Sequence, residues 1–288
     1  MKSKITIALV AMTFATVSAS AQWVPEPEVV PDYTRLTKTY TQPGGNTSLT
    51  LTVDFPDAGA PYAGQVNSWL TRLADNAFIP NDNYGGQPWD HQALGQFVAR
   101  KFFRFAKKEI SHDSVTPNPY AYSYSMLANT VTEEFATYQI SSQLSIGNKQ
   151  TMTGKQYVTY LYNTGDATND VLFAHNKFKA VKEALLNVAF GDAGFMQSRL
   201  VKGQGVQKAS QLRPLFSPGG DDGWDGMVLP PAALTPQGVV FSFAPAVAGP
   251  SAKNWWHFTV PYSALRKCFS KEAAAAITAA YPLALQKN

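Results

Sequence analysis

Stretches with a hydrophobic period of two alternate along the chain with stretches whose period lies between three and four. Leu49, Leu51, Val53 and Phe55 alternate with Thr50, Thr52 and Asp54, which predicts a strand over 48–55 with one face on a core and the other in water. Thr34 to Gln42 reads as its partner strand, with the turn cluster Pro43-Gly44-Gly45-Asn46 between them. Val66, Trp69, Leu70, Leu73 and Ala77 then recur at helical steps, and Pro80 predicts the end of that helix. Asn81 to Asp90 is rich in Asn, Asp, Gly and Pro and reads as a loop. A second helix is predicted from about Gln92 to Ile110, with Leu94, Phe97, Val98, Phe102, Phe105 and Ala106 as its apolar stripe. Arg100, Arg104, Lys107 and Lys108 ring its outer side and fit a solvated face before a binding surface.

Period two then returns. Tyr120, Tyr122, Tyr124 and Met126 alternate with Ala121, Ser123 and Ser125, and Val131 to Leu144 and Gln156 to Tyr162 are rich in β-branched and aromatic residues. Asn163 to Asp170 predicts a turn. A third helix is expected over Asn176 to Phe190, with Phe178, Val181, Leu185 and Val188 inward and Gly191 as a cap. Val206 to Trp224 has little period and reads mostly as loop. Gly238 to Phe243 and Trp255 to Val260 are predicted strands, and Ser263 to Phe269 a short helical turn. Ser270 is the expected cap of a last helix, which Pro282 ends. By parity, Phe241, Phe243, Trp256, Phe258 and Val260 should share one sheet face against Phe178, Val181 and Leu185. Trp255, His257 and Thr259 should face the other way. The fold class is therefore α+β, with mainly antiparallel sheets packed with helices.

The N-terminus changes the picture. Lys2 and Lys4 precede an apolar run from Ile5 to Val17, and Ala19-Ser20-Ala21 offers small residues for cleavage before Gln22. This order predicts a secretory signal peptide at 1–21 and an extracytoplasmic protein, periplasmic or secreted. Pro25, Pro27 and Pro31 make 22–33 a Pro-rich linker. An N-terminal α+β module over 34–150 and a C-terminal one over 151–288 follow. No later apolar run approaches ~20 residues, so no membrane span is expected. Removing Lys2 and Lys4 lowers the formal charge from +4 to +2, which leaves no electrostatic footprint for nucleic acid. With 1 Cys, Cys268, the chain can hold no internal disulfide or Cys-only zinc site. Beside Leu265 and Phe269, Cys268 reads as a small packed residue.

Candidate chemistry is sparse. Gly-x-Ser-x-Gly, Ser-x-x-Lys, His-Glu-x-x-His, phosphate-loop and dinucleotide patterns are absent, although a triad can assemble in space from distant residues. None of His91, His112, His175 and His257 is spaced with another as a ligand pair. His257, between two aromatic residues, reads as a half-buried structural residue. Glu133 and Glu134 are adjacent, and in a strand they would point to opposite faces, so they form no ready acid–base pair. Asp221-Asp222-Gly223-Trp224-Asp225-Gly226 is the densest acidic feature. Asp221 and Asp225 carry the oxygens calcium prefers, but Gly223 stands where a ligand is wanted and no Glu closes the set, so a Gly-Asp turn accounts for it and no metal or cofactor is expected. Trp224 would either stack on a sugar ring or cover a core edge. Asp221, Asp222, Trp224 and Asp225 are thus the candidate ligand-binding residues, and no catalytic residue is assigned.

Leu229-Pro230-Pro231-Ala232-Ala233-Leu234-Thr235-Pro236-Gln237-Gly238-Val239-Val240-Phe241-Ser242-Phe243, then Ala248-Gly249 and Trp256-His257-Phe258-Thr259-Val260-Pro261-Tyr262-Ser263-Ala264-Leu265, resembles a secreted family of unknown function. That family stands at the extracellular end of the anti-sigma factor RsiV and ahead of the catalytic domain of the peptidoglycan deacetylase PdaC. Tyr160 to Phe173, Val53-Asp54-Phe55-Pro56 and Val66-Asn67-Ser68-Trp69-Leu70 are similar to its earlier segments. Ser145-Ile146-Gly147-Asn148 stands near the family's Ala-His-Gly step, and Ala244-Pro245-Ala246-Val247 replaces a polar, tyrosine-containing segment. The resemblance implies an RsiV-like extracellular fold. Two functions follow as expectations. One is a non-catalytic envelope protein that binds a cell-wall glycan or an extracellular protein such as lysozyme. The other is an envelope glycan hydrolase whose carboxylates meet only in the fold.

Overall fold

The structure, a computed structural model, describes residues 28–43, 45–76, 99–100, 102–104, 120–147, 149–216, 227–243 and 255–286. β1 (Tyr33–Thr41) and β2 (Ser48–Pro56) form the predicted hairpin, with Thr41 opposite Ser48. α1 (Ala63–Asn76) follows and buries Val66, Trp69, Leu70 and Ala74. Of the second predicted helix, Ala99, Arg100, Phe102, Phe103 and Arg104 are described and helical, with Ala99 and Phe102 buried. Leu94, Phe97, Lys107 and Lys108 lie outside the described residues, as does the predicted signal peptide.

β3 (Tyr120–Val131), β4 (Phe135–Ile146) and β5 (Lys149–Leu161) complete a five-stranded sheet in the order β1-β2-β3-β4-β5. β2 and β3 run parallel; the other pairs are antiparallel. A parallel pair needs a crossover, and α1 lies within it. Leu49, Leu51, Val53, Tyr124, Met126, Tyr138 and Ile140 share one core with Val66, Trp69 and Leu70. Glu133 and Glu134 are not in a strand. They lie in the β3–β4 turn, where Thr132 Oγ1 accepts from the amides of Glu134 (3.1 Å) and Phe135 (3.0 Å). The boundary expected at 150/151 falls within β5, a member of this first sheet.

The remainder builds a second core. α2 (Asn169–Leu172), a 3-10 turn (His175–Lys177), α3 (Phe178–Gly191) and α4 (Ala193–Met196) precede a 3-10 segment at Ala209–Phe216. The expected loop from Val206 thus contains helical turns, because Leu212, Leu215 and Phe216 are drawn into the core. Gly191 is the last residue of α3 rather than its cap; Asp192 caps the end and also accepts from Phe195 N at 2.8 Å to start α4. β6 (Ala232–Thr235), β7 (Gly238–Phe243) and β8 (Trp256–Val260) form a three-stranded antiparallel sheet. α5 (Tyr262–Leu265) and α6 (Lys271–Ala280) close the chain, and Ser270 caps α6 by accepting from Ala273 N.

The predicted parity holds in this second sheet. Phe241, Phe243, Phe258 and Val260 are buried with Val181 and Leu185, and half-buried Trp256 packs on the same cluster. Phe195 sets its ring edge-on against Trp256 and Phe258, at 5.1 Å from each. Several residues of the Leu229–Leu265 stretch are explained by this packing. A Cβ at Gly238, whose φ is +144°, would lie 2.5 Å from Val260 O, so only glycine closes the β6–β7 turn. Tyr262 Oη donates to Thr235 O at 2.8 Å and ties α5 to that turn. Asn169 clamps the incoming strand, donating to Leu229 O and Pro230 O and accepting from Ala232 N.

The two sheets meet through hydroxyls. Thr137 and Thr159 face each other across β4 and β5, their oxygens 2.6 Å apart and wholly buried. Thr137 donates to Leu234 O, and Thr159 accepts from Leu234 N, each at 2.7 Å. Two side chains therefore satisfy a backbone unit of β6 inside the molecule, as burial demands.

Candidate functional site

Asp221, Asp222, Trp224 and Asp225 lie outside the described residues, as do His91 and His112. The loop's flanks are joined, since Val228 N donates to Phe216 O at 3.3 Å, and both Phe216 and Met227 are core residues. Among the described residues, no group of three or more His, Cys, Asp or Glu side chains could hold a metal ion. Among them, too, no helix is long and apolar enough to cross a membrane. His175 rests edge-on against Phe178 at 5.5 Å. Cys268 is buried, and burial pushes its thiol up, against a smaller pull from Lys177.

The first sheet presents a surface of another kind. Its core-facing residues alternate with short polar ones, and the strand registers align these into transverse rows on the opposite face. One row runs Thr37, Thr52, Ser125, Ser141 and Lys155 across all five strands. The next runs Thr39, Thr50, Ser123 and Gln143. Thr37, Thr39, Ser123 and Gln143 are exposed, and Thr50, Thr52, Ser125 and Ser141 half-exposed. Neighbouring hydroxyls bond along the rows, Thr37 to Thr52 at 3.2 Å and Thr39 to Thr50 at 3.0 Å. The result is a hydroxyl-lined and nearly uncharged face.

Its charges have distinct fates. Asp54 is fully buried and accepts two hydrogen bonds from Arg35, at 2.7 and 2.8 Å. It also accepts from Ala128 N at 3.0 Å, at the bulge where the β2–β3 ladder has ended. That carboxylate completes the sheet and is committed to it. Lys155 is different. It is half-buried on β5, its ammonium 5.7 Å from the centre of the Tyr157 ring. Among the described residues no carboxylate pairs with it. Burial lowers its pKa.

Around Lys155 the polar groups form a fixed chain. Tyr157 Oη donates to Gln139 Oε1 at 3.2 Å, and Gln139 Nε2 donates to Ser141 Oγ at 3.3 Å. Ser242 Oγ accepts from Tyr157 N at 2.9 Å and lies 3.3 Å from His257 Nδ1. His257 packs edge-on against Tyr157 at 5.2 Å. Burial, and then the charge of Lys155, push His257 down to about 4, so its ring is neutral near pH 7. The Ser242–His257 pair is a joint between the sheets and not an activated nucleophile: Ser242 is 1% exposed and its oxygen already accepts a backbone amide. Gly154, opposite Ser142, points to the other face of β5 from Lys155. A Cβ there would meet Ser142 Oγ at 2.7 Å and Trp255 Cζ2 and Nε1 at 3.5 Å, so the missing side chain lets the indole lie against β5.

A second aromatic cluster lies before α1. Tyr62, 47% exposed, stacks on Tyr162 at 4.6 Å, while Trp69 stacks on Tyr160 at 5.1 Å. Tyr62 has φ +59°, and its carbonyl accepts from the amides of Gln65 and Val66. Helix initiation accounts for that conformation. Sequence reasoning missed the Lys155 corner because its members come from four strands.

No protein-family model matches the chain, and no curated protein matches it. Among solved structures, it is similar to a DUF3298-family protein from Bacteroides fragilis, with a TM-score of 0.54 and 14% identity over 84% of this chain and 93% of that one. A DUF3298-family protein from Pseudomonas aeruginosa is similar over 87% of this chain and 97% of that one, with 16% identity and a TM-score of 0.44. At 14% identity the likeness concerns the backbone alone. The chain therefore has an α+β fold of the kind found in the Bacteroides fragilis DUF3298 structure.

Proposed function

We propose that this chain is a secreted cell-envelope protein that binds a glycan on the hydroxyl-lined face of its five-stranded sheet. The observation that carries the reading is that face, an open array of Thr, Ser and Gln side chains on aligned strands. Such groups exchange hydrogen bonds with a polyhydroxylated polymer at little desolvation cost and carry no net charge to repel it. The N-terminal signal-peptide pattern supports an extracytoplasmic address. So does the similarity of Leu229 to Leu265 to the secreted RsiV/PdaC-type family. A glycan hydrolase would need two facing carboxylates. On this face the described carboxylate, Asp54, is buried and held by Arg35 and Ala128 N, which favours binding over hydrolysis.

The test is co-sedimentation of the purified chain with insoluble cell-wall glycan, followed by a glycan array. Binding that weakens when Thr50 is replaced by Val and Ser123 by Ala, removing two hydroxyls from the face, is expected. A protein that stays in the supernatant and is blank on the array overturns the reading. Capture by lysozyme alone would move the ligand from glycan to protein.

A further inference from the structure

We infer that the corner at Lys155, with Ser141 and Tyr157 beside it, is a subsite for an acidic sugar, a saccharide unit bearing a carboxylate. The inference rests on the reading that the sheet face takes a glycan, and it names the chemistry at one end of that face. Ser141 and Lys155 are direct cross-strand partners, so their side chains stand roughly 5 Å apart at Cβ on the same face. Ser141 Oγ already accepts from Gln139 Nε2, which leaves its own proton to donate outward. An ammonium and a hydroxyl side by side match the two oxygens of one carboxylate.

The charge is the decisive feature. A half-buried ammonium has lost part of its water, and among the described residues no acid replaces it. Such a cation gains more from an incoming anion than an exposed one does. His257 beside it is neutral near pH 7, so the corner offers a single positive charge. That suits a carboxylate monoanion better than a phosphate dianion. Gln139 is a positioning residue, holding Tyr157 and Ser141 at fixed angles while itself buried. An extended acidic peptide is disfavoured at this edge, because the Tyr157 amide it would pair with is already given to Ser242.

Calorimetry on the purified chain tests this with three acidic saccharides, namely trigalacturonate, a muramyl disaccharide and sialyllactose, each paired with its methyl ester. At least one acid should bind on the order of tenfold or more tightly than its ester. Lys155→Gln should remove that difference. Lys271→Gln, an exposed charge on α6, should leave it unchanged, and thermal unfolding of every variant checks folding. The inference is overturned if no acid is preferred to its ester, or if Lys155→Gln leaves the preference intact. It is also overturned if a glutamate peptide of equal charge binds as well as the saccharide. Co-sedimentation with cell-wall glycan separates the two failures. Sedimentation without acid preference removes only the subsite, and no sedimentation removes the glycan reading as well.

Discussion

The two sheets use the same β-alternation to opposite ends. In β2, Leu49, Leu51 and Val53 are buried while Ser48, Thr50 and Thr52 between them stay half-exposed. In β6 every residue is buried, and in β7 all but Val240 are. The second sheet has helices on one side and β4–β5 on the other, with the Thr137–Thr159–Leu234 joint and the Ser242–Tyr157 bond between. Covered on both faces, it must fill space, turn tightly and satisfy every polar group, which restricts its residues strongly. The first sheet is covered on one face and at one end of the other. Its outer rows are free of packing demands. The stretch that resembles a known family therefore lies in the covered sheet and reports fold, whereas function is sought on the uncovered one.

The comparison breaks most visibly in the second core. Phe258→Ala should cost about 3–5 kcal/mol in denaturant unfolding, whereas Thr259→Ala, one position along and exposed, should stay within about 0.5 kcal/mol. If the two ranked in reverse, β8 would carry the opposite register and His257 would not face β5.

The first sheet has one comparably expensive site. Arg35→Met strands the buried Asp54 carboxylate and should cost about 3–5 kcal/mol. Replacing Asp54 by Leu as well should recover only part of this, because Ala128 N then loses its acceptor. Full recovery in a double-mutant cycle would mean that the carboxylate does not complete the ladder.

A pH titration of stability reads the seam between the sheets. His257 has a folded pKa of about 4 against an ordinary 6.5, so between those values the unfolded chain binds the extra proton. Its contribution is full above pH 6.5, declines as pH falls toward 4, and loses nothing further below. The loss amounts to about 3 kcal/mol at most. His257→Asn should remove that slope. A wild-type curve already flat from pH 6.5 to 4 would show that the ring is not desolvated there.

The smallest effect tests the hydroxyl joint. Thr159→Val keeps the shape but orphans Leu234 N and should cost about 1–3 kcal/mol. Thr50→Val, the same change on the open face, should leave unfolding nearly unaltered. Equal costs at the two positions would erase the distinction between covered and uncovered rows.

Much of this fold was legible because its causes are local. The Leu49–Phe55 alternation, the stripe of α3, the cap at Ser270 and the parity of Phe241 with Phe258 each follow from neighbouring residues and standard geometry. The misreadings have tertiary causes. Leu212, Leu215 and Phe216 are spaced without a clear period, yet core burial pulls them into 3-10 turns. Glu133 and Glu134 lie in a stretch of strand-forming composition, but the Thr132 hydroxyl makes a tight turn there. The candidate acidic site at Asp221 to Asp225 lies outside the described residues. The corner at Lys155 had no compositional signal, because a lysine in a strand is ordinary until its neighbours are known.

By itself, the sequence determined the strands and helices that carry a clear period and which side of each is apolar, since backbone sterics and side-chain period act over a few residues. It also determined that Cys268 has no partner cysteine within the chain. Tertiary structure alone decided the parallel pairing of β2 with β3, the burial of Asp54 beside Arg35, and the meeting of Ser141 with Lys155. It also decided which hydroxyl rows stay wet. The physical reason is that strand order and register are set by pairings between residues far apart in the chain. A polar side chain becomes a joint or an open binding group according to whether another layer happens to cover it.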